Sequence, residues 1–225
     1  MSSQPLHRTR IKICGLTREA DVDAAVEAGA DAIGFVLYDK SPRHVSPERA
    51  GVLSRRLPPF VTPVVLLVNA TPALLHQALD AVPHALLQFH GDETVADCEA
   101  AHRPYLRAAR MAPGFDLSGF AAQYASAQAV LVDAHVEGYG GGGQVFDWSL
   151  LPQPGQLARP MVLSGGLHAG NVGEGIRRVR PWAVDVSSGV EAAKGIKDPA
   201  LMHRFCQAVR EADGLVAAPP LASAA

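Results

Sequence analysis

The chain has 225 residues and a formal net charge of −2 at pH 7, with 48% hydrophobic and 19% charged residues. That length accommodates one large core, the apolar share excludes a wholly disordered chain, and the near-neutral charge argues against a surface that coats nucleic acid. The three cysteines, Cys14, Cys98 and Cys206, are far apart and form no C-x-x-C pair, and no run approaches the roughly 20 apolar residues a membrane span needs. A reducing compartment follows, and the expected location is the cytoplasm.

In chain order, residues 1–10 read as a flexible extension, 11–213 as a single domain and 214–225 as a disordered tail rich in Ala and Pro. Within the domain an apolar run at 11–14 is followed by a helical pattern at 19–28, a run at 32–37 by a helix at 47–56, and a run at 63–68 by a helix at 72–81. Then come a run at 85–89, a helix at 93–102, and runs at 105–109, 129–133, 160–163 and 183–186, with a last helix at 200–211. Several of these helices open on Ser, Thr or Asp, whose side chains cap exposed backbone N–H groups. The runs lack polar alternation, so each strand is covered on both faces, as in an all-parallel sheet. Eight of them alternating with helices predict an α/β fold, a single (β/α)8 TIM barrel, with a doubly wound open sheet as the structural alternative.

In such a barrel the strands' C-terminal ends share one face and build the site. Cys14 ends the first run, Arg43 lies after the second, His90 follows the fourth, Asp133 ends the sixth, Gly165 and Gly166 follow the seventh, and Ser187, Ser188 and Gly189 follow the eighth. The two Ser/Gly clusters sit where barrels hold phosphate, because turns without bulky side chains bring backbone N–H groups to an anion. A phosphorylated small molecule is the expected ligand. The stretch Tyr139-Gly140-Gly141-Gly142-Gly143-Gln144 is a candidate lid; it neither follows a strand directly nor opens a helix, so it is not a dinucleotide fingerprint.

A free thiol of pKa about 8.5 is only a few per cent ionised at neutral pH, so Cys14 as a base needs a cationic or helix-terminal environment. An aspartate of ordinary pKa about 3.9 is roughly 0.1 per cent protonated there, so Asp133 as an acid needs burial or a nearby anion. A lone cysteine is more often buried packing, a lone loop arginine more often solvated, and a strand-end aspartate is at times a cap. The nine histidines show no metal-ligand spacing, and His203-x-x-Cys206 has no second pair, so no metal is expected.

These residues lie in Lys12-Ile13-Cys14-Gly15, Gly34-Phe35 through Ser41-Pro42-Arg43, Gln88-Phe89-His90-Gly91 and Leu131-Val132-Asp133. The series continues through Gly140 to Trp148, Leu163-Ser164-Gly165-Gly166-Leu167 and Val184-Asp185-Val186-Ser187-Ser188-Gly189-Val190-Glu191. Over roughly residues 11–212 the chain resembles the phosphoribosylanthranilate isomerases. The resemblance implies an Amadori rearrangement of N-(5-phosphoribosyl)anthranilate in tryptophan biosynthesis, without a cofactor. It implies Asp133 as general acid and Cys14 as general base. Arg43, beside the anthranilate carboxylate, would bind substrate together with His90 and Asp185, and Gly142, Gly165, Gly166, Ser187, Ser188 and Gly189 would hold the phosphate. Two departures stand out: Phe89 where Leu is usual, and four consecutive glycines where Ser or Thr commonly interrupts them.

Another phosphosugar barrel enzyme is the competing reading, because folds are shared across chemistries. A Schiff-base aldolase would need a lysine at a strand end, whereas Lys12 is internal to the first run and its facing is not fixed by sequence. A catalytically silent phosphometabolite-binding barrel is a third reading, against which the presence of both Cys14 and Asp133 speaks. A monomer is expected, with a homodimer left open.

Overall fold

The computed structural model describes residues 8–134, 147–152 and 155–217. Eight strands, β1 (Arg10–Cys14), β2 (Ala32–Val36), β3 (Thr62–Leu67), β4 (Leu86–Phe89), β5 (Tyr105–Met111), β6 (Ala129–Ala134), β7 (Met161–Leu163) and β8 (Ala183–Val186), pair in sequence order. All these pairings are parallel, and β8 returns to β1, so the barrel is closed and the open-sheet alternative is excluded. Closure leaves no barrel edge with unpaired backbone groups.

The connections carry α1 (Glu19–Ala28), α2 (Pro47–Ser54), α3 (Pro72–Ala81), α4 (Val95–Glu99), α5 (Leu117–Gln123) and α6 (Val172–Val179), and α7 (Pro199–Ala217) closes the ring. Ser46 and Thr71 cap α2 and α3, each followed by a proline in the first turn, and Thr94 with Asp97 forms a reciprocal capping box on α4. Gly29 ends α1 in the left-handed region. No helix among the described residues is long and apolar enough to cross a membrane.

The expected strands are all present within two residues of their ends, α5 and α6 fill crossovers expected to be helical without bounds, and α4 is shorter than the pattern at 93–102 suggests. Thr9 is buried and donates from its backbone N–H and its hydroxyl to the Asp213 carboxylate at 2.8 and 2.6 Å, and α7 runs on to Ala217. A small antiparallel ribbon, β9 (Glu191–Ala193) with β10 (Ile196–Lys197), is a further addition.

Two apolar layers result from the two faces of every strand. The larger fills the space between barrel and helices, with Ile13, Phe35, Leu67, Leu87, Leu163 and Phe205 among its fully buried members. The smaller, Leu106, Ala108, Ala129, Leu131, Val162 and Ala183 with Leu86 against it, plugs the barrel interior. Inward positions follow a period of two, so Lys12, Gln88, Asp133 and Asp185 continue the same interior rows towards the strands' C-terminal ends. The apolar plug is therefore the floor on which a polar layer rests.

Leu131 is completely buried in that plug. Leu131→Ala is expected to lower unfolding free energy by about 2–5 kcal/mol in urea titration, the range for a cavity that its neighbours cannot refill. A loss under ~1 kcal/mol would show that the interior collapses and is no rigid floor.

Candidate active site

Cys14, the last residue of β1, points into the barrel mouth and is buried. Its register partner on β2 is Gly34, and a Cβ built there would lie 2.7 Å from the Cys14 sulfur, so the glycine makes the space the thiol occupies. Two residues earlier on the same inward row, Lys12 donates to Asp185 at 2.8 Å, with both side chains almost fully buried. Ser164 reaches the other Asp185 oxygen at 3.5 Å. Burial opposes the Lys12 ammonium, but the charges of Asp185 and Cys14 outweigh it and hold its pKa above that of a free lysine. Burial also raises the Asp185 carboxyl, against the pull of Lys12.

On the facing side, Asp133 ends the inward row of β6. Its Oδ1 accepts its neighbour Ala134's N–H at 2.9 Å, and its Oδ2 lies 3.2 Å from His90 Nε2. His90 Nδ1 meets the side-chain amide nitrogen of Gln88 at 3.0 Å. Gly165, with φ of 82°, lies against this carboxylate; a Cβ there would stand 2.6 Å from the Ala134 nitrogen and 3.0 Å from Asp133 Oδ1. Only glycine combines that backbone conformation with that space. The loop carrying His90 is braced by Arg107, which donates to the carbonyls of Phe89, Gly91 and Glu93, while the Glu93 carboxylate accepts the N–H groups of Asn69 and Gly91.

The third element is a row of buried charges along the mouth. Arg43 forks onto Glu191, Nε to Oε1 at 2.7 Å and Nη2 to Oε2 at 2.9 Å. Lys197, fully buried, donates to the same Glu191 Oε1 at 2.8 Å and to the Ser187 carbonyl at 3.0 Å. The Ser187 hydroxyl in turn donates to the Cys14 carbonyl at 3.0 Å. Burial raises the Glu191 carboxyl, but Arg43 and Lys197 outweigh it and hold it below the usual range. Burial pushes the Lys197 ammonium down.

Cys14 feels all of these groups. Burial raises its thiol, Lys12 and Lys197 pull it down, and Asp185 pushes it up, with the net direction upward; Arg43 is also within reach of its charge. In their charged forms Lys12, Arg43 and Lys197 oppose two carboxylates, Asp185 and Glu191. One positive charge is left over, which a thiolate at Cys14 would balance. The cationic surroundings anticipated for this cysteine therefore exist, but they work against a large desolvation cost.

Of the residues singled out from sequence, Cys14, Arg43, His90, Asp133, Asp185, Gly165, Gly166, Ser187, Ser188 and Gly189 all fall at the C-terminal end of the barrel strands or in the loops that follow. Gly142 and the rest of the glycine run lie outside the described residues. Asp185 is committed to Lys12, and the Arg43 fork to Glu191, so each has an internal partner beside its expected ligand role. Lys12, Gln88, Glu191 and Lys197 were not assigned beforehand. The first two share an inward row with Cys14 and His90, a period-two signal the sequence contains. Glu191 and Lys197 reach the site through the β9–β10 ribbon, for which no local pattern exists. Among the described residues no three His, Cys, Asp or Glu side chains converge as metal ligands.

Residues 11–208 match the family model described as N-(5'phosphoribosyl)anthranilate (PRA) isomerase. The chain belongs to this family. A relative from Methylibium petroleiphilum, named N-(5'-phosphoribosyl)anthranilate isomerase, is 70% identical over 94% of this chain and 98% of its own length. The crystal structure of phosphoribosyl anthranilate isomerase from Thermotoga maritima superposes with a TM-score of 0.83 at 40% identity, covering 90% of this chain and 99% of that one. A second isomerase structure, in complex with reduced 1-(o-carboxyphenylamino)-1-deoxyribulose 5-phosphate, gives a TM-score of 0.79 at 39% identity, covering 90% and 99%.

Because Lys12 lowers the Cys14 pKa, removing its charge raises it further and thins the thiolate at any given pH. Lys12→Met is expected to slow iodoacetamide alkylation of Cys14 at neutral pH and to shift its pH profile upward. An unmoved profile would show that Lys12 does not set the ionisation of Cys14.

Proposed function

We propose that this chain converts N-(5-phosphoribosyl)anthranilate to 1-(o-carboxyphenylamino)-1-deoxyribulose 5-phosphate, an Amadori rearrangement in tryptophan biosynthesis, with Asp133 as general acid and Cys14 as general base. The observation that carries the reading is that one family match, spanning residues 11–208, includes an acid candidate and a base candidate at strand ends of the same barrel mouth. In the first step the Asp133 carboxyl gives its proton to the ribose ring oxygen as the C1–O bond breaks, and the anilino nitrogen's lone pair forms the C1=N iminium. In the second, the Cys14 thiolate removes the C2 proton, the C2–H electrons form the C1=C2 bond, and the C1=N π pair returns to nitrogen to give the enolamine. Its tautomerisation gives the ketone at C2 and the amine at C1. Separate groups suit these steps, because an acid and a base held apart need not neutralise each other.

The turns at Gly165–Gly166 and Ser187–Gly189 would take the 5-phosphate. Both lie at the last two strands, and Lys197 donates to the Ser187 carbonyl and so braces that turn. Arg43 would meet the anthranilate carboxylate from a fixed position, since its fork onto Glu191 immobilises the guanidinium before the ligand arrives. Lys12 does face the barrel interior, the placement a Schiff-base aldolase would require. Its ammonium is paired with Asp185 and held above its ordinary pKa, which suits a structural cation and not an amine nucleophile.

Turnover is expected as loss of substrate fluorescence, with substrate made in situ and EDTA present. Cys14→Ser and Asp133→Asn should each lower kcat by at least ~10²-fold while phosphate-ligand binding persists. Near-normal kcat in either variant would remove that residue from its role, and a purified chain that binds ligand without turnover would point to the silent barrel. Arg43→Ala should raise KM more than it lowers kcat, because contact with a remote carboxylate is largely uniform binding; an unchanged KM would refute the contact.

A further inference from the structure

Gln88 is completely buried at the inward end of β4, and its side-chain carbonyl oxygen has no hydrogen-bond partner among the described residues. Its amide nitrogen lies 3.0 Å from His90 Nδ1. In this amide orientation the NH₂ group faces the ring and donates, so Nδ1 accepts, and a neutral imidazole accepting at Nδ1 carries its hydrogen on Nε2. That nitrogen is the one 3.2 Å from Asp133 Oδ2. We infer that Gln88 is a positioning residue that fixes His90 in the Nε2–H tautomer, so that Asp133 always faces a hydrogen-bond donor.

The inference rests on the reading of Asp133 as general acid and extends it to what supports that acid. A carboxyl that gives its proton to the ring oxygen becomes a carboxylate, and a neutral N–H aimed at Oδ2 stabilises that charge, favouring release of the proton over holding it. The opposite tautomer would present a lone pair, which competes with the ring oxygen for the same proton. A further charged group felt across this space is Asp185 on β8, itself tied to Lys12. Arg107 holds the backbone beside His90 but bonds to carbonyls and not to the imidazole. Among the described contacts, the Gln88 amide is thus what selects the proton's place on the ring. The partnerless oxygen has a cost, since a buried amide with half its capacity unmet is less stable there than an apolar side chain of similar volume.

The test is ¹⁵N spectroscopy of the histidine rings in the full-length protein, with His90 assigned by its loss in His90→Asn. Wild-type His90 is expected to show an unprotonated Nδ1 and a protonated Nε2 at neutral pH. Gln88→Glu, whose carboxylate only accepts, should move the proton to Nδ1 and lower kcat about 10- to 100-fold with KM changed less than ~3-fold, within the span of acid catalysis. Gln88→Met, similar in volume, should give a tautomer mixture and an intermediate kcat. A wild-type Nδ1 that carries the proton overturns the inference without requiring any variant to fold, and so does a Gln88→Glu enzyme with the shifted tautomer and normal kcat. Failure of the underlying acid assignment is separately visible as a normal kcat in Asp133→Asn.

Discussion

The pairing of β1 with β8 is the contact on which the rest depends, because it turns a row of strands into a closed ring. Lys12 and Asp185 are register partners across that seam, and their side chains form a buried ion pair inside the barrel. Such a pair contributes little net stability when formed, since desolvation offsets most of the attraction, yet breaking it strands a charge at a cost of about 3–5 kcal/mol. A register slip of one residue would turn every β1 side chain to the opposite face and separate the two. The pair therefore discriminates among registers more than it stabilises the correct one.

The register of β1 with β2 sets Gly34 beside Cys14 at the mouth, and from there charge compensation governs what the thiol can do. Burial disfavours a thiolate, and a single surplus cation among Lys12, Arg43, Lys197, Asp185 and Glu191 works in its favour. The thiol remains above its ordinary pKa, so the site does not hold a permanently ionised cysteine. A base that ionises reluctantly is a stronger proton acceptor once formed, which suits removal of a carbon-bound proton.

Precision at the opposite side comes from backbone bracing. Arg107 and Glu93 satisfy the carbonyl and N–H groups of the turn after β4, and Arg107 also lies over the rings of Phe120 and Tyr124 at 5.6 and 4.9 Å. His90 thereby reaches Asp133 from a turn with little freedom. The β9–β10 ribbon does similar work beyond β8: it folds back so that Lys197 links Glu191, and through it Arg43, to the Ser187 turn. The groups proposed for the anthranilate carboxylate and for the phosphate are consequently parts of one rigid assembly.

The sequence by itself determined eight parallel strands alternating with helices and the strand-end positions of Cys14, Asp133, Gly165 and Ser187, because strand length, lack of polar alternation and intervening helical periods are local properties, whereas closure into a barrel over an open sheet was decided by the pairing of β8 with β1. It also carried the family resemblance, which assigned roles that isolated residue types could not. Only the tertiary structure decided that Lys12 meets Asp185, that Arg43 grips Glu191 and that Gln88 holds His90 towards Asp133. Those partners lie 173 and 148 residues apart for the two ion pairs. Their meeting depends on barrel closure and on a ribbon with no local signature, and the His90 tautomer depends on which atom of a buried amide faces the ring.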